Sequence, residues 1–263
     1  MRPIVDVNNL SFEINQKHIL RDVSLQVNLG QFIGIIGPNG SGKTTLLNCL
    51  SGLISKINGS VLLNDRSIRD FATMDVARLI AYLHQETPED LNLNVAQVVE
   101  LGLIPRLSLF GSIGQTERDE VSEAIAVVGL SANTHAPFET LSGGEKQRCL
   151  LAKVIVQKPQ ILLMDEPTNH LDINYQVEIM SLVKNLGITV IASFHDLNLA
   201  SAYCDELLCL DNGEVKCQGT PDKVLRSEIL EQIFKVPVEV DTNPLNQKQR
   251  ISFNYRSHHD AAG

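Results

Sequence analysis

The stretch Gln31-Phe-Ile-Gly-Ile-Ile-Gly-Pro-Asn-Gly-Ser-Gly-Lys-Thr-Thr45 passes from an apolar run directly into a glycine-rich turn. Gln31 to Gly37 has the composition of a strand buried on both faces, and Thr44 to Ile54 continues as a helix. Between them Gly37 to Thr45 matches Gly-x-x-x-x-Gly-Lys-Ser/Thr. Glycines in such a loop let backbone N–H groups converge on phosphate oxygens, and the helix N-terminus adds a favourable field. Lys43 has the reach for the β- and γ-phosphates of a nucleoside triphosphate, and the Thr44 hydroxyl suits Mg²⁺. A chance glycine-rich turn would lack the flanking strand and helix. Gly37, Pro38, Asn39, Gly40, Ser41, Gly42, Lys43, Thr44 and Thr45 are therefore the candidate nucleotide-binding residues.

A second apolar run, Ile161-Leu-Leu-Met, delivers Asp165 and Glu166 together at its C-terminal end, where ligands bind in open α/β sheets. Asp165 suits Mg²⁺ and Glu166 suits polarising an attacking water. Two carboxylates on a surface turn are the plain alternative. A phosphate loop upstream favours nucleoside triphosphate hydrolysis.

A third stretch, Thr140-Leu-Ser-Gly-Gly-Glu-Lys-Gln-Arg148, looks like another phosphate-binding helix N-terminus, although the chain has parts for only one nucleotide. Ser142 followed by Glu145 also reads as a helix capping box, and both readings can hold together.

Composition limits the classes. With 263 residues, 43% of them hydrophobic, the chain can bury one full core or a core plus a subdomain. A net charge of −9 argues against a binder that neutralises nucleic-acid phosphates over a broad surface. The five cysteines form no Cys-x-x-Cys pair, which fits reduced thiols in a cytosolic protein. No apolar run approaches the ~20 residues that span a bilayer, and the N-terminus lacks an apolar signal region.

The chain reads in three parts. Strands Val5 to Leu10 and Val23 to Val27 precede the loop; from about residue 88 to 157 the pattern turns helical, with helices predicted over Leu93 to Leu103 and Glu117 to Gly129. From Gln160 buried strands return, Gln160 to Asp165 and Ile188 to Phe194, followed by a hairpin turning at Asp211-Asn-Gly213. Residues 241–263 read as a polar tail, and His258-His259 as a solvated end. No repeat or low-complexity segment is found.

The phosphate loop, Leu141-Ser-Gly-Gly-Glu145 and the Asp165–Glu166 strand occur in the order that marks the ATP-binding subunits of ATP-binding-cassette (ABC) transporters, which the chain resembles from about residue 3 to 237. The resemblance implies an α/β fold: a P-loop NTPase core with a mainly parallel sheet, an N-terminal antiparallel β-subdomain and an inserted helical subdomain at about 88–157, the whole cassette occupying 1–240. Gln85 matches a glutamine that the family places near Mg²⁺ and the membrane partner. His195 matches the histidine that contacts the γ-phosphate, and Asn169-His-Leu-Asp172 the dimer loop after the catalytic Glu166. The metal ligands so implied are Thr44, Gln85 and Asp165.

Cassettes of this family pack head to tail, which accounts for the second helix N-terminus. Ser142, Gly143, Gly144 and Glu145 of one copy would close over the nucleotide on the phosphate loop of the other. The resemblance implies ATP and Mg²⁺ as cofactors, a homodimer, integral-membrane permease subunits and, indirectly, a substrate-binding protein, at the cytoplasmic face of the inner membrane. Where the family commonly stacks an aromatic ring on adenine this chain has Ile14, with Phe12 the nearest ring.

Leu101-Gly-Leu-Ile-Pro-Arg-Leu-Ser-Leu-Phe-Gly111, Asp165 to Asp172 and His195-Asp-Leu-Asn-Leu-Ala200 resemble segments of metal-chelate importer ATPases, those for iron–siderophores, haem and cobalamin. Leu103 stands where that group commonly carries arginine. A soluble iron–sulfur assembly ATPase is the nearest rival, also a single cassette. The apolar residues from Leu91 to Phe110, including Leu107 and Leu109, are expected to form a groove for a helix of the permease.

Overall fold

The computed structural model describes residues 2–84, 92–107, 111–169 and 171–254. Strands β1 (Val5–Ile14), β2 (Lys17–Val27), β4 (Asn58–Leu63) and β5 (Arg66–Ser67) form an antiparallel sheet in the order β2-β1-β4-β5. β3 (Phe32–Ile36) belongs to a second sheet and runs through the glycine loop into helix α1 (Lys43–Leu50).

Helix α2 (Thr73–Leu79) leads into the short strand β6 (Ile80–Leu83). Helices α3 (Val95–Glu100), α4 (Gln115–Val127) and α5 (Gly143–Gln157) follow. The chain then alternates β7 (Ile161–Met164), α6 (Ile173–Asn185), β8 (Thr189–Ser193), α7 (Leu197–Tyr203) and β9 (Glu206–Asp211). It closes with β10 (Glu214–Gly219), α8 (Pro221–Val224), α9 (Ser227–Phe234) and the hairpin β11 (Val238–Thr242)–β12 (Gln249–Phe253).

The second sheet has the order β10-β9-β3-β8-β7-β6, parallel except for β10. Its central strands β3, β8 and β7 are buried at every position because both faces are covered. On β3, Phe32 and Ile36 enter the core under the helices, while Ile33 and Ile35 enter the core against α1 and the N-terminal sheet. On β7, Leu162 and Met164 divide from Ile161 and Leu163 in the same way. The two-residue period explains why neither run shows an amphipathic stripe.

Several expectations are redrawn by packing. The helix predicted over Leu93–Leu103 ends at Glu100, and residues 101–106 tighten into a 3₁₀ turn containing Pro105. That turn packs on α5 so closely that a Cβ on Gly102 would sit 2.2 Å from the Lys153 carbonyl oxygen. The stretch after Val240, read as a polar tail, pairs with β11 as far as Phe253, and Ile251 is buried beside Asn198 of α7. The polarity belongs to the outer face of this hairpin. Leu107 is half-buried and packs against the helical core. Leu91, Leu109, Phe110 and the His258-His259 end lie outside the described residues.

Candidate active site

The first turn of α1 follows three glycines with positive φ: Gly37 at 145°, Gly40 at 76° and Gly42 at 106°. No L-residue adopts this succession cheaply, so the glycines allow the chain to fold back around an open bowl. Gly42 is the N-cap of α1 and no side chain caps the helix, which leaves its first N–H groups free to meet an anion. Lys43 is 5% exposed; its Nζ donates to the carbonyls of Gly37 at 2.9 Å and Pro38 at 3.1 Å. Burial lowers its pKa, while the facing carboxylates of Glu166 and Asp165 work in the opposite direction. The ammonium is therefore held over the loop beside those two carboxylates. Asn39, Gly40 and Thr44 are exposed; the buried Ser41 Oγ has no hydrogen-bond partner among the described residues.

β8 lies between β3 and β7, so the ends of three adjacent parallel strands deliver Gly37, Glu166 and His195 to one edge. Asp165 is 3% exposed, and Ser193 Oγ donates to its Oδ1 at 2.7 Å. The same Ser193 oxygen accepts from the Glu166 N–H at 2.9 Å. Glu166 turns into the left-handed region, φ 50°, immediately after β7. A non-glycine residue rests there only when its surroundings hold it, and the Ser193 bond is one such restraint. The Glu166 side chain takes Asn169 Nδ2 on Oε2 at 3.3 Å and His195 Nε2 beside Oε1 at 2.6 Å.

Ser193 was not singled out from the sequence. The signal available was one hydroxyl in the apolar run Val190 to Phe194, since a buried polar group needs a partner.

The Ser142 segment has the predicted capping box. Ser142 N and Oγ donate to Glu145 Oε2 at 2.9 and 2.7 Å, and Ser142 Oγ accepts from Glu145 N at 3.4 Å. Hydrogen bonding to Ser142 holds the Glu145 carboxyl below its ordinary range. The two glycines differ: a Cβ on Gly144 would lie 2.9 Å from the Tyr175 ring, whereas one on Gly143 would meet only Leu171, at 3.9 Å. Gly144 thus has a reason within its own chain, and Gly143 faces outward. Among the described residues no hydrogen bond or ion pair joins Ser142–Glu145 to the loop 37–45 of the same chain.

Asp172 is exposed at the N-cap of α6 and precedes Ile173, which is 78% exposed. Ile14 is also exposed, whereas Phe12 packs against the core. The β1–β2 register shifts around Phe12, so the two do not share a regular face. Gln85 and His170 lie outside the described residues.

Beside His84 a cleft of about 370 Å³ opens between the end of α1, α2 and β6, lined by Leu53, Ile68, Phe71, Val76, Tyr82 and others. Tyr82 and His84 stack with ring centroids 3.9 Å apart, and the buried Tyr82 hydroxyl has no hydrogen-bond partner among the described residues.

A glycine cradle on β3, two carboxylates on β7 and a histidine on β8, converging at one edge of a parallel sheet, define a P-loop nucleoside triphosphatase. The ABC transporter model matches residues 20–169, more than half of the chain, and the chain belongs to that family. It binds and hydrolyses ATP as ABC ATPases do. It is 34% identical to the petrobactin import ATP-binding protein of Bacillus anthracis, over 95% of this chain and 94% of that one. It is 35% identical to the hemin import ATP-binding protein of Pseudoalteromonas translucida, over 94% and 98% of the two chains. Among solved structures, a dimeric ATP-binding cassette in a post-hydrolysis state with ADP and Pi bound is 28% identical, with a TM-score of 0.73 over 82% of this chain and 98% of that one.

Proposed function

We propose that the chain is the ATP-hydrolysing subunit of an importer for an iron chelate, a siderophore complex or haem, with cobalamin the related alternative. The observation that carries the catalytic part is the convergence of Lys43, Asp165, Glu166 and His195 at one sheet edge. The cargo class rests on the petrobactin and hemin import relatives.

In this reading the N–H groups of the loop from Gly37 and the first turn of α1 hold the β- and γ-phosphates, with Lys43 leaving its carbonyl partners to meet them. Glu166 accepts a proton from the attacking water, and His195 steadies the γ-phosphate. A hydroxyl on Thr44 and a carboxylate on Asp165 are hard oxygen donors, and two such ligands completed by phosphates and water suit Mg²⁺. Gln85 is proposed as a third ligand from its place in the family pattern. When bound, Mg²⁺ would neutralise charge on the phosphate oxygens.

A second copy supplies Ser142, Gly143, Gly144 and Glu145 across a head-to-tail interface, with Asp172 and the exposed Ile173 beside it. The dimeric relative supports this arrangement. No described helix is long and apolar enough to cross a membrane, so transport requires a permease partner. The Tyr82 cleft beside His84 suits a short helix of that permease, which would hold the chain at the cytoplasmic face of the membrane. A substrate-binding protein would meet the permease on the other side.

The test is copurification and uptake. Co-expressed with a chelate permease, the parent chain should copurify with it and drive uptake of radiolabelled ferric siderophore, and Glu166→Gln should copurify without uptake. A chain that copurifies with no membrane protein would favour the iron–sulfur assembly rival.

A further inference from the structure

We propose that Cys209 and Cys217 form a peroxide-oxidisable pair, a modification site whose disulfide disturbs the phosphate loop next to it. The two residues are direct partners across the antiparallel β9–β10 ladder, beside a register irregularity between Val215 and Cys217. Opposed residues in such a ladder have Cα atoms ~4.5–5.5 Å apart, inside the range that a disulfide bridges. β10 is an edge strand and Cys217 is partly exposed, so a small oxidant can reach it, while Cys209 lies buried beneath as the resolving thiol. The facing thiols act on each other, Cys209 lowering the pKa of Cys217 and Cys217 raising that of Cys209. Cys49 and Cys149 are buried, with burial pushing each thiol up to about 12. Reactivity therefore concentrates on the pair.

The chemistry consumes one molecule of a hydroperoxide. The Cys217 thiolate attacks a peroxide oxygen, the O–O bond breaks, and a sulfenic acid and an alcohol or water result. The Cys209 sulfur then attacks the Cys217 sulfur; the S–S bond forms, the S–O bond breaks, and hydroxide leaves with the Cys209 proton as water. The peroxide accepts two electrons from the sulfur pair.

The hairpin that carries the pair is built into the cradle. Cys209 is aligned with Ile36, the last residue of β3. The next residue, Leu210, presents its carbonyl oxygen to Gly37, where an added Cβ would lie only 2.0 Å away. At the hairpin turn Gly213 N donates to the Ser41 carbonyl at 3.0 Å. Cross-strand Cβ atoms sit ~4.5–5.5 Å apart and must close to ~3.8 Å in a disulfide. Oxidation thus draws β9 toward β10, and with it two contacts of the phosphate loop.

The experiment treats the full-length parent and Cys217→Ser with hydrogen peroxide, then measures intact mass, thiol peptides and ATP hydrolysis, before and after dithiothreitol. The parent should lose two hydrogens, yield a linked Cys209–Cys217 peptide, and hydrolyse ATP at least about tenfold more slowly, within the range that a ~1 Å displacement produces. Dithiothreitol should restore the rate, and Cys217→Ser should keep its rate throughout. The proposal is overturned if Cys217 ends as a sulfinic acid without a link, if the linked protein hydrolyses ATP at the parent rate, or if Cys217→Ser loses as much activity. The mass readout separates failure of the thiol chemistry from any failure in the ATPase reading.

Discussion

His195 Nε2 lies 2.6 Å from Glu166 Oε1, so the residue after β8 grips the carboxylate that follows β7. The Glu166 carboxylate also stands close enough to Lys43 of the phosphate loop to act on its pKa. Glu166→Gln should bind ATP with near-parent affinity and hydrolyse it ~10²–10⁴-fold more slowly, because an amide accepts no proton. Equilibrium nucleotide binding and single-turnover phosphate release measure the two halves, and near-parent hydrolysis would remove Glu166 from the role.

Ser193 holds both carboxylate residues through one oxygen. Ser193→Ala should leave the Glu166 N–H unsatisfied at a buried site and destabilise the fold by ~1–3 kcal/mol. It should also slow hydrolysis at saturating ATP by tenfold or more, as Glu166 loses its restraint at positive φ, an effect of misplacement. Ser193→Thr, which retains the hydroxyl, should recover most of the rate if packing tolerates the methyl. Thermal melts together with kcat and KM distinguish this positioning role from a loss of stability alone.

The two glycines after Ser142 should separate. Gly144→Ala forces a Cβ into the Tyr175 ring and should destabilise the single chain by ~1–3 kcal/mol. Gly143→Ala makes only an ordinary contact with Leu171 and should leave the melting temperature unchanged or raised, since Ala favours a helix over Gly by up to ~1 kcal/mol. Its hydrolysis should nevertheless fall, because the added methyl covers N–H donors meant for the neighbouring copy. Gly143→Ala at full activity would contradict the assignment.

Glu120 sits between Arg106 and Lys158, and hydrogen bonds from both hold its pKa at about 2, against an ordinary 4.5. The folded carboxyl binds its proton less readily than the unfolded one. Its stabilising contribution is therefore complete above about pH 4.5 and is lost as pH falls through about 2. Glu120→Gln should lower stability at pH 7 by up to ~1 kcal/mol, a modest effect because the cluster is near the surface. The difference between parent and variant should shrink below pH 4.5 in denaturant titrations.

What was legible in the sequence was what local chemistry dictates. Gly37 to Thr45 needs its glycines whatever the rest of the fold does, and Asn212-Gly213 turns its hairpin at φ 50° and 80°. The runs around Ile33 and Leu162 had no polar residues to give up, so they could only be buried. What was not legible depended on neighbours distant in sequence. β6 is four residues long and earns its strand pairing only from β7. The helix through Leu93 was cut short by Pro105 and by the approach of Lys153. The half-burial of Leu107 likewise depends on helices that only the fold brings beside it. Ser193 drew no attention because its two partners sit on another strand.

The most direct test of a shared catalytic site mixes two inactive proteins, Lys43→Ala and Ser142→Arg. Each homodimer has both sites damaged by its own single lesion, on the phosphate-loop side for Lys43→Ala and on the opposite side of the nucleotide for Ser142→Arg. A mixed dimer places both lesions in one site and leaves the other with an intact Lys43 and an intact Ser142. Random pairing makes about half of the dimers mixed, so up to roughly a quarter of the sites should recover, and the specific rate should rise with total concentration. A chain that closed its own Ser142 segment over its own phosphate loop would remain inactive in every mixture, and the parent would hydrolyse ATP at a specific rate independent of concentration; that flat line would contradict the account.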